Sequence, residues 1–432
     1  MRPISSRRTR AMLANKPEWR DMTEFLFKNG RILTIAGQGR QPRRNEALRE
    51  LSALESGWVL VKDGLIHDVG DGPGPDTRGR VIDLEGRVLM PGFVDCHTHA
   101  CWAGSRYDEF DRKLAGASYL ELLAEGGGIM STVHAVRQAS VEELSANLIH
   151  RIEQMARLGT TTVEVKSGYG LSTEAELKML DAIRIASDTM QSTVIGTFLG
   201  AHAIDRDTPE FVRTTIDETL PAVVEAHPGI TCDAYCEEGA WSLEECRRLF
   251  EEAQSMGCPI RVHADQFNSL GATHFAVEAG ARSVDHLEAT KNEDLALLAH
   301  SNTMGVLLPC SGYHLDDRYA AGRAFVDLGG AVAIASNCNP GSAPTPSIPF
   351  TIHLAVNRCR LKPAEAIVAA TYNAACVLDL QDDRGSIEPG KRSDLIVLDT
   401  RDERSLAWEF ATPGPRMVMI GDSLHDLTPF GG

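Results

Sequence analysis

Through the middle of the chain, short apolar, β-branched runs alternate with longer stretches whose apolar positions recur every three or four residues. The short runs read as strands: VLMPGFVDCHTH, TTVEVKSG, VIGTFLGAH, ITCDAYCEE, PIRVHADQ, SVDHLE, MGVLLPCS and AVAIASNCN. Between most of them lie amphipathic stretches such as VEELSANLIHRIEQMARLG and TEAELKMLDAIRIASDTM, whose spacing predicts helices. Eight strands with intervening helices predict an α/β fold with a parallel (β/α)8 barrel. An open doubly wound sheet is the alternative, but no Gly-rich dinucleotide turn is present. The flanks differ. LFKNGRILTI, GWVLVKDGLIHDVGD and RVIDLEGRVLM at one end, and GSIEPGKRSDLIVLDT and RMVMIGDSL at the other, read as short strands and turns. The expected organisation is a barrel over residues 91–384 and a small β-sandwich domain built by both termini, residues 25–90 and 385–432. Residues 1–24, Arg-rich and without an apolar core, are expected to form a flexible arm rather than a secretory signal.

Bulk properties narrow the function. A chain of 432 residues is long enough for a large barrel plus an accessory unit. A net charge of −17 argues against nucleic acid and anionic membrane as partners. No apolar run approaches the roughly 18–20 residues of a membrane span. Ten cysteines, scattered and without a CxxC pair, suggest reduced thiols in a cytoplasmic protein.

In such a barrel, chemistry sits where strands end at the C-terminal face. His97 and His99 close the first strand, Tyr169 follows the second, and His202 ends the third. Glu237 and Glu238 end the fourth, His263 and Gln266 the fifth, His286 the sixth, and Asn337 and Asn339 the eighth. Residues two apart on a strand share a face, so His97 and His99 are expected to converge. Together with His263 they suit zinc or a first-row metal such as iron. Such a site acidifies a water and suits hydrolysis of an amide-like bond.

The sequence then meets a family. PGFVDCHTH, with the later histidines and β-rich flanks, resembles the amidohydrolase superfamily. HTHACWAGSRYDEF, GASYLELLAEGGGIMSTVHAVRQAS, TTVEVKSGYGL, FLGAHA, CEEGAWS, VHADQ, DHLE and NPGSAPT narrow the resemblance to the imidazolonepropionase family, over about residues 25–425. The resemblance implies a distorted TIM barrel, one zinc or iron ion per subunit, and a homodimer. It implies hydrolysis of the lactam bond of 4-imidazolone-5-propanoate to N-formimidoyl-L-glutamate, a step of histidine degradation, on a small anionic ring substrate. His97, His99 and His263 would be metal ligands, with Asn337 at the eighth-strand ligand position. Arg106 would hold the propionate through a bidentate contact. Tyr169, His202 and Gln266 would touch ring or propionate. Asn339, Gly341 and Ser342 would line the eighth-strand loop. His286, with Gln266 and Asn337, would belong to the catalytic set, the histidine orienting or deprotonating the water.

Two departures stand out. Where the family has an aspartate after the eighth strand, this chain reads ASNCNPG, with Asn337 in its place. Asparagine offers a metal a neutral carbonyl oxygen but is no comparable base, and a positioned proton acceptor contributes roughly 10²–10⁴-fold in rate. The asparagine reads as an inactivating substitution that traps a ligand, or as a natural divergence; the completeness of the other residues favours the first. His286 or a carboxylate near Glu237 and Glu238 is the alternative base. After the seventh strand, LLPCSGYHLDD replaces a small–aromatic–aromatic run, and Trp102 follows HTH. The changed loop and Trp102 suggest an altered ring, such as an N-methyl or 2-thioxo imidazolone. Deamination of a cyclic amidine, attack on a thiohydantoin, and a non-catalytic ligand-binding relative are the rival readings.

Overall fold

Two eight-stranded sheets organise the protein. The computed structural model describes residues 24–37, 39–116, 127–411 and 414–427. The expected arm over residues 1–24 lies outside the described residues except for Glu24, and so does most of the segment before GGGI, residues 117–126.

The first sheet is mixed and draws on both ends of the chain. It contains β1 (Glu24–Leu33), β2 (Ala53–Lys62), β3 (Leu65–Asp71), β4 (Arg80–Asp83) and β5 (Val88–Pro91), then β14 (Leu395–Val397), β15 (Met417–Ile420) and β16 (Ser423–Asp426). The two ends join where β5 runs antiparallel to β14, Pro91 facing Leu395. Phe25, Phe27, Val59, Val61, Leu89, Leu395 and Met419 share a buried cluster there.

The second sheet is the barrel. Its strands are β6 (Phe93–Asp95), β7 (Thr160–Lys166), β8 (Thr193–Ala201), β9 (Thr231–Cys236), β10 (Ile260–Ala264), β11 (Ser283–His286), β12 (Met304–Leu307) and β13 (Val332–Ile334). All neighbours are parallel and consecutive in sequence. This is the (β/α)8 arrangement that the alternating pattern predicts. The helices between strands form for local reasons. Val141–Arg157 begins at Ser140, whose Oγ accepts from the Glu143 N–H at 3.2 Å, and buries Leu144, Leu148, Ile152 and Met155 on one stripe. Thr173–Thr189 begins likewise at Ser172.

The first and eighth strands meet mainly through the chain just beyond them. Asn337 N–H donates to His97 O at 3.1 Å, and His99 N–H to Cys338 O at 2.9 Å. The Asp95 carboxylate accepts from the Ser336 N–H at 3.1 Å and from its hydroxyl. Burial pushes that carboxyl up to about 7, against the opposing pull of the Ser336 contacts.

Three local expectations change. The run from Val88 to His99 is not one strand: it breaks at Gly92, where a Cβ would collide with the Thr161 side chain. The chain thereby passes from one sheet to the other. His97 and His99 lie past the end of β6 in irregular backbone, not on the strand itself. The segment after β12 contains a helix, Pro309–Leu315, with proline in its first turn, rather than only a loop. All ten cysteines are free thiols, nine of them buried. Among the described residues, no helix is long and apolar enough to cross a membrane.

Candidate active site

Behind the mouth of the barrel lies a layer of buried charge. Lys166 Nζ is 2.6 Å from Glu164 Oε1 and 2.8 Å from Asp233 Oδ2. The Arg261 guanidinium donates to Asp285 Oδ2 at 2.6 Å and to Cys96 O at 2.8 Å, with Glu164 at 3.4 Å. Burial opposes the charge on Arg261, but Asp285 and Glu164 outweigh it and raise its pKa. Burial alone would raise Asp233; His263 and Lys166 hold it well below the usual carboxylate range. Three carboxylates thus face two cations in a closed space. The same network grips the loop after β6: Arg261 holds the carbonyl of Cys96, and Thr98 donates its N–H to Glu164 Oε2 at 3.2 Å and its hydroxyl to Glu164 O at 2.6 Å.

Onto this layer the histidines are set. His97 Nδ1 lies 2.6 Å from Asp285 Oδ2, and His263 Nδ1 lies 3.0 Å from Asp233 Oδ1. A carboxylate at Nδ1 keeps the proton there and leaves a lone pair on Nε2, the arrangement found behind metal-ligating imidazoles. The His97 and His263 ring centroids are 4.4 Å apart, and His99 Nε2 is 3.2 Å from His263 Nε2. One ring nitrogen each of His97, His263 and His286 falls within 4.8 Å of the others. The cluster thus brings His286 beside two of the three expected ligands, His97 and His263, while His99 meets the group through His263. Burial holds His97 and His99 well below the usual histidine range and lowers His263, so these rings are neutral and present lone pairs. His97 Nε2, His99 Nδ1 and Asn337 Oδ1 are buried and have no hydrogen-bond partner among the described residues. A buried polar atom without a partner costs about 1–3 kcal/mol. Imidazole nitrogens and a carbonyl oxygen are the donors a divalent cation takes, so the residues present fit such an ion.

The other expected residues divide. His202 stacks on His99 with centroids 4.8 Å apart, its Nδ1 is 3.1 Å from Gly168 O, and burial lowers its pKa to about 3. Tyr169 is buried, 5.1 Å from the His202 ring, and burial raises its hydroxyl above the usual range. Its loop is held by Glu176, which accepts from the N–H groups of Gly168, Gly170 and Leu171 at 2.8–2.9 Å. Gln266 Oε1 accepts from the Tyr235 hydroxyl at 2.8 Å. Arg106 packs against Gly341, where a Cβ would lie 3.1 Å from its Nη1, but its Nε and Nη2 both donate to Glu109, the former at 2.7 Å. Asn339 holds its own turn: Oδ1 accepts from Gly341 and Ser342 N–H, and Nδ2 donates to Asn337 O and Ser342 Oγ.

Two sequence expectations fail. Glu237 is not placed as a free base: its oxygens accept from Phe267 N–H, Asn268 N–H and the Asn268 amide, and Glu238 is exposed. Trp102 is stacked under Arg151, whose guanidinium carbon lies 3.4 Å from the ring centroid, so it braces the loop against the helix Val141–Arg157. Sequence reasoning missed Glu164, Lys166, Asp233, Arg261, Asp285 and Tyr235. The available signal was polar residues two apart in otherwise apolar strands, such as Glu164 with Lys166 and Arg261 with His263.

A parallel eight-stranded barrel that presents a carboxylate-backed imidazole cluster at its C-terminal face defines a hydrolase with a divalent metal site. Residues 88–424 match the model of the Amidohydrolase family, and the chain belongs to that family, among its imidazolonepropionases. It is 43% identical over 413 residues to an imidazolonepropionase of Herpetosiphon aurantiacus, covering 92% of this chain and 95% of that one. It is 40% identical over 416 residues to an imidazolonepropionase of Desulfotalea psychrophila, covering 94% and 100%. Among solved structures it resembles a 5-methylcytosine deaminase from Klebsiella pneumoniae, with a TM-score of 0.71, 16% identity, and 92% and 96% of the two chains covered. At that identity the likeness speaks to the fold alone.

Proposed function

We propose that this chain opens the ring of 4-imidazolone-5-propanoate by hydrolysing its cyclic amide bond, releasing N-formimidoyl-L-glutamate in histidine degradation. The observation that carries the reading is the imidazole cluster, with His99 Nε2 3.2 Å from His263 Nε2 and with His97 Nε2 and Asn337 Oδ1 unpartnered among the described residues. The imidazolonepropionase relatives supply the substrate.

His97, His99, His263 and Asn337 Oδ1 would hold one zinc or iron ion per chain. When bound, such a cation supplies Lewis acidity and a water more acidic than bulk. His286, with Glu288 Oε1 3.2 Å behind its Nδ1, receives the proton on Nε2. His286 is held at φ +92° and Leu287 at φ +73°, a strained backbone of the kind that accumulates where a side chain must be aimed. Neutral His202, with Nδ1–H directed to Gly168 O, keeps Nε2 as an acceptor for a ring N–H. Tyr169 and Gln266 complete the ring contacts. Arg106, steadied by Glu109, meets the propionate beside the Gly341–Ser342 loop. We further propose a cytoplasmic homodimer: the thiols are all free, and Tyr107, Trp408 and Phe410 are 79%, 81% and 71% exposed.

The test is turnover of 4-imidazolone-5-propanoate by protein loaded with one equivalent of zinc or iron, following loss of ring absorbance and formation of N-formimidoylglutamate by mass spectrometry. Release of ammonia or sulfide from amidine or thiohydantoin analogues, with no turnover of the imidazolone, would refute it.

A further inference from the structure

Asn337 and the LLPCSGYHLDD segment, both singled out in the sequence, touch each other. Asn337 follows β13 and Ser311 lies in the first turn of the helix Pro309–Leu315 after β12; both are buried. Asn337 Nδ2 donates to Ser311 Oγ at 2.6 Å, while Asn337 Oδ1 has no partner among the described residues. The Asn337 backbone is pinned by its N–H bond to His97 O and sits at φ +54°, where asparagine is one of the few tolerated side chains.

An amide and a carboxylate make different demands here. The carboxylate has two equivalent oxygens, so either can face a cation and nothing need hold it the right way round. The amide has one donor end and one acceptor end. If its oxygen faces a cation, its NH₂ points away and must find an acceptor in a buried space. Ser311 Oγ is that acceptor.

We infer that Ser311 and Asn337 act as one unit, the serine accepting the amide protons so that Asn337 Oδ1 serves as a neutral donor to the cation. The inference rests on the metal site of the proposed function but not on its substrate. The asparagine is then a native feature of this chain rather than an isolated inactivating change, in contrast to the reading favoured from sequence alone. The negative charge absent at residue 337 is supplied one layer back, by Asp285 behind His97 and Asp233 behind His263. Ser311 is a positioning residue: it acts on the cation through Asn337.

The experiment is a double-mutant cycle read by zinc affinity of the metal-stripped full chain, by competition with a chromogenic chelator. Ser311→Ala is expected to weaken zinc at least 10-fold in the native background and less than 3-fold in the Asn337→Asp background, where no amide needs orienting. Ser311→Cys, which keeps the volume but accepts weakly, is expected to follow the same ranking and guards against a packing effect. Thermal melting of the metal-free proteins verifies that each variant is folded. Equal losses in both backgrounds, or no loss in either, would overturn the inference. Zinc affinity is read without substrate, so a wrong substrate assignment leaves this result unchanged.

Discussion

Replacing Asp285 by asparagine isolates what the buried charge does for the site. Asp285 Oδ1 accepts from Ser283 Oγ at 2.6 Å, and Oδ2 from Arg261 and His97 at 2.6 Å each. Asparagine has nearly the same shape. Its oxygen can face Arg261 and His97 while its NH₂ faces Ser283, whose hydroxyl can turn to accept. Packing is therefore kept and the charge removed. Two consequences follow at separate scales. The His97 Nδ1 proton loses its anionic acceptor, so Nε2 becomes a poorer donor; loss of such an outer carboxylate costs about 10–100-fold in metal affinity, or about 1.4–2.8 kcal/mol at 1.4 kcal/mol per tenfold. Arg261 keeps Cys96 O and the more distant Glu164, so the fold loses about 1.5–3 kcal/mol, the scale of a hydrogen bond to a charged group. The assay is zinc competition with a chelator, paired with urea unfolding of the metal-free protein. Unchanged zinc affinity alongside reduced stability would show that Asp285 is a structural brace and that the carboxylate does not tune His97.

Arg106→Met is expected to weaken binding of the propionate substrate by ~1.5–3 kcal/mol, with little further effect on an analogue lacking the carboxylate; equal losses for both ligands would assign Arg106 to holding Glu109. His202 sits near pKa 3 when folded against 6.5 for the free side chain; its contribution is complete above 6.5 and is lost as pH falls toward 3, because the unfolded chain takes up the proton first. Metal-free native protein should accordingly lose up to about 1.4 kcal/mol more per pH unit than His202→Gln between pH 6 and 4, measured by urea unfolding; parallel profiles would contradict the buried neutral ring. Gly312→Ala places a Cβ against the Arg318 carbonyl oxygen, so it should displace the turn that carries Ser311 and cost at least about 1–3 kcal/mol, read by thermal melting.

The barrel was legible because the strands are short buried runs and the longer helices, such as Val141–Arg157, Thr173–Thr189 and Leu243–Ser255, are amphipathic and begin at a capping serine. From the strand ends alone, His97, His99, His202, His263, His286 and Asn337 are expected at one face of the barrel. The supporting layer was not legible in the same way. Glu164 and Arg261 lie on different strands and meet only across the barrel interior, which no local period reveals. Arg106 and Glu109 are three positions apart on one short segment, and the structure pairs them. The break at Gly92 was hidden because the apolar run continues through it, and what divides it is the side chain of Thr161 on a neighbouring strand.

The seam between the first and eighth strands has a consequence for how the protein is made. Asp95 and Ser336 are 241 positions apart, yet they and their neighbours, His97 with Asn337 and His99 with Cys338, fasten the barrel at the point where the imidazoles gather. A nascent chain that has not emerged past Asn337 can hold HTH through Glu164, Arg261 and Asp285 but lacks the eighth-strand partners of His97 and His99. The complete residue set for the ion therefore assembles only after Asn337 has been made, together with closure of the barrel. Any ion that binds only the closed form adds RT ln(1 + [L]/Kd) to its stability, so loading acts as a latch on a join otherwise held by these hydrogen bonds and by the buried cluster of Val94 and Cys96 with Ala333 and Ala335.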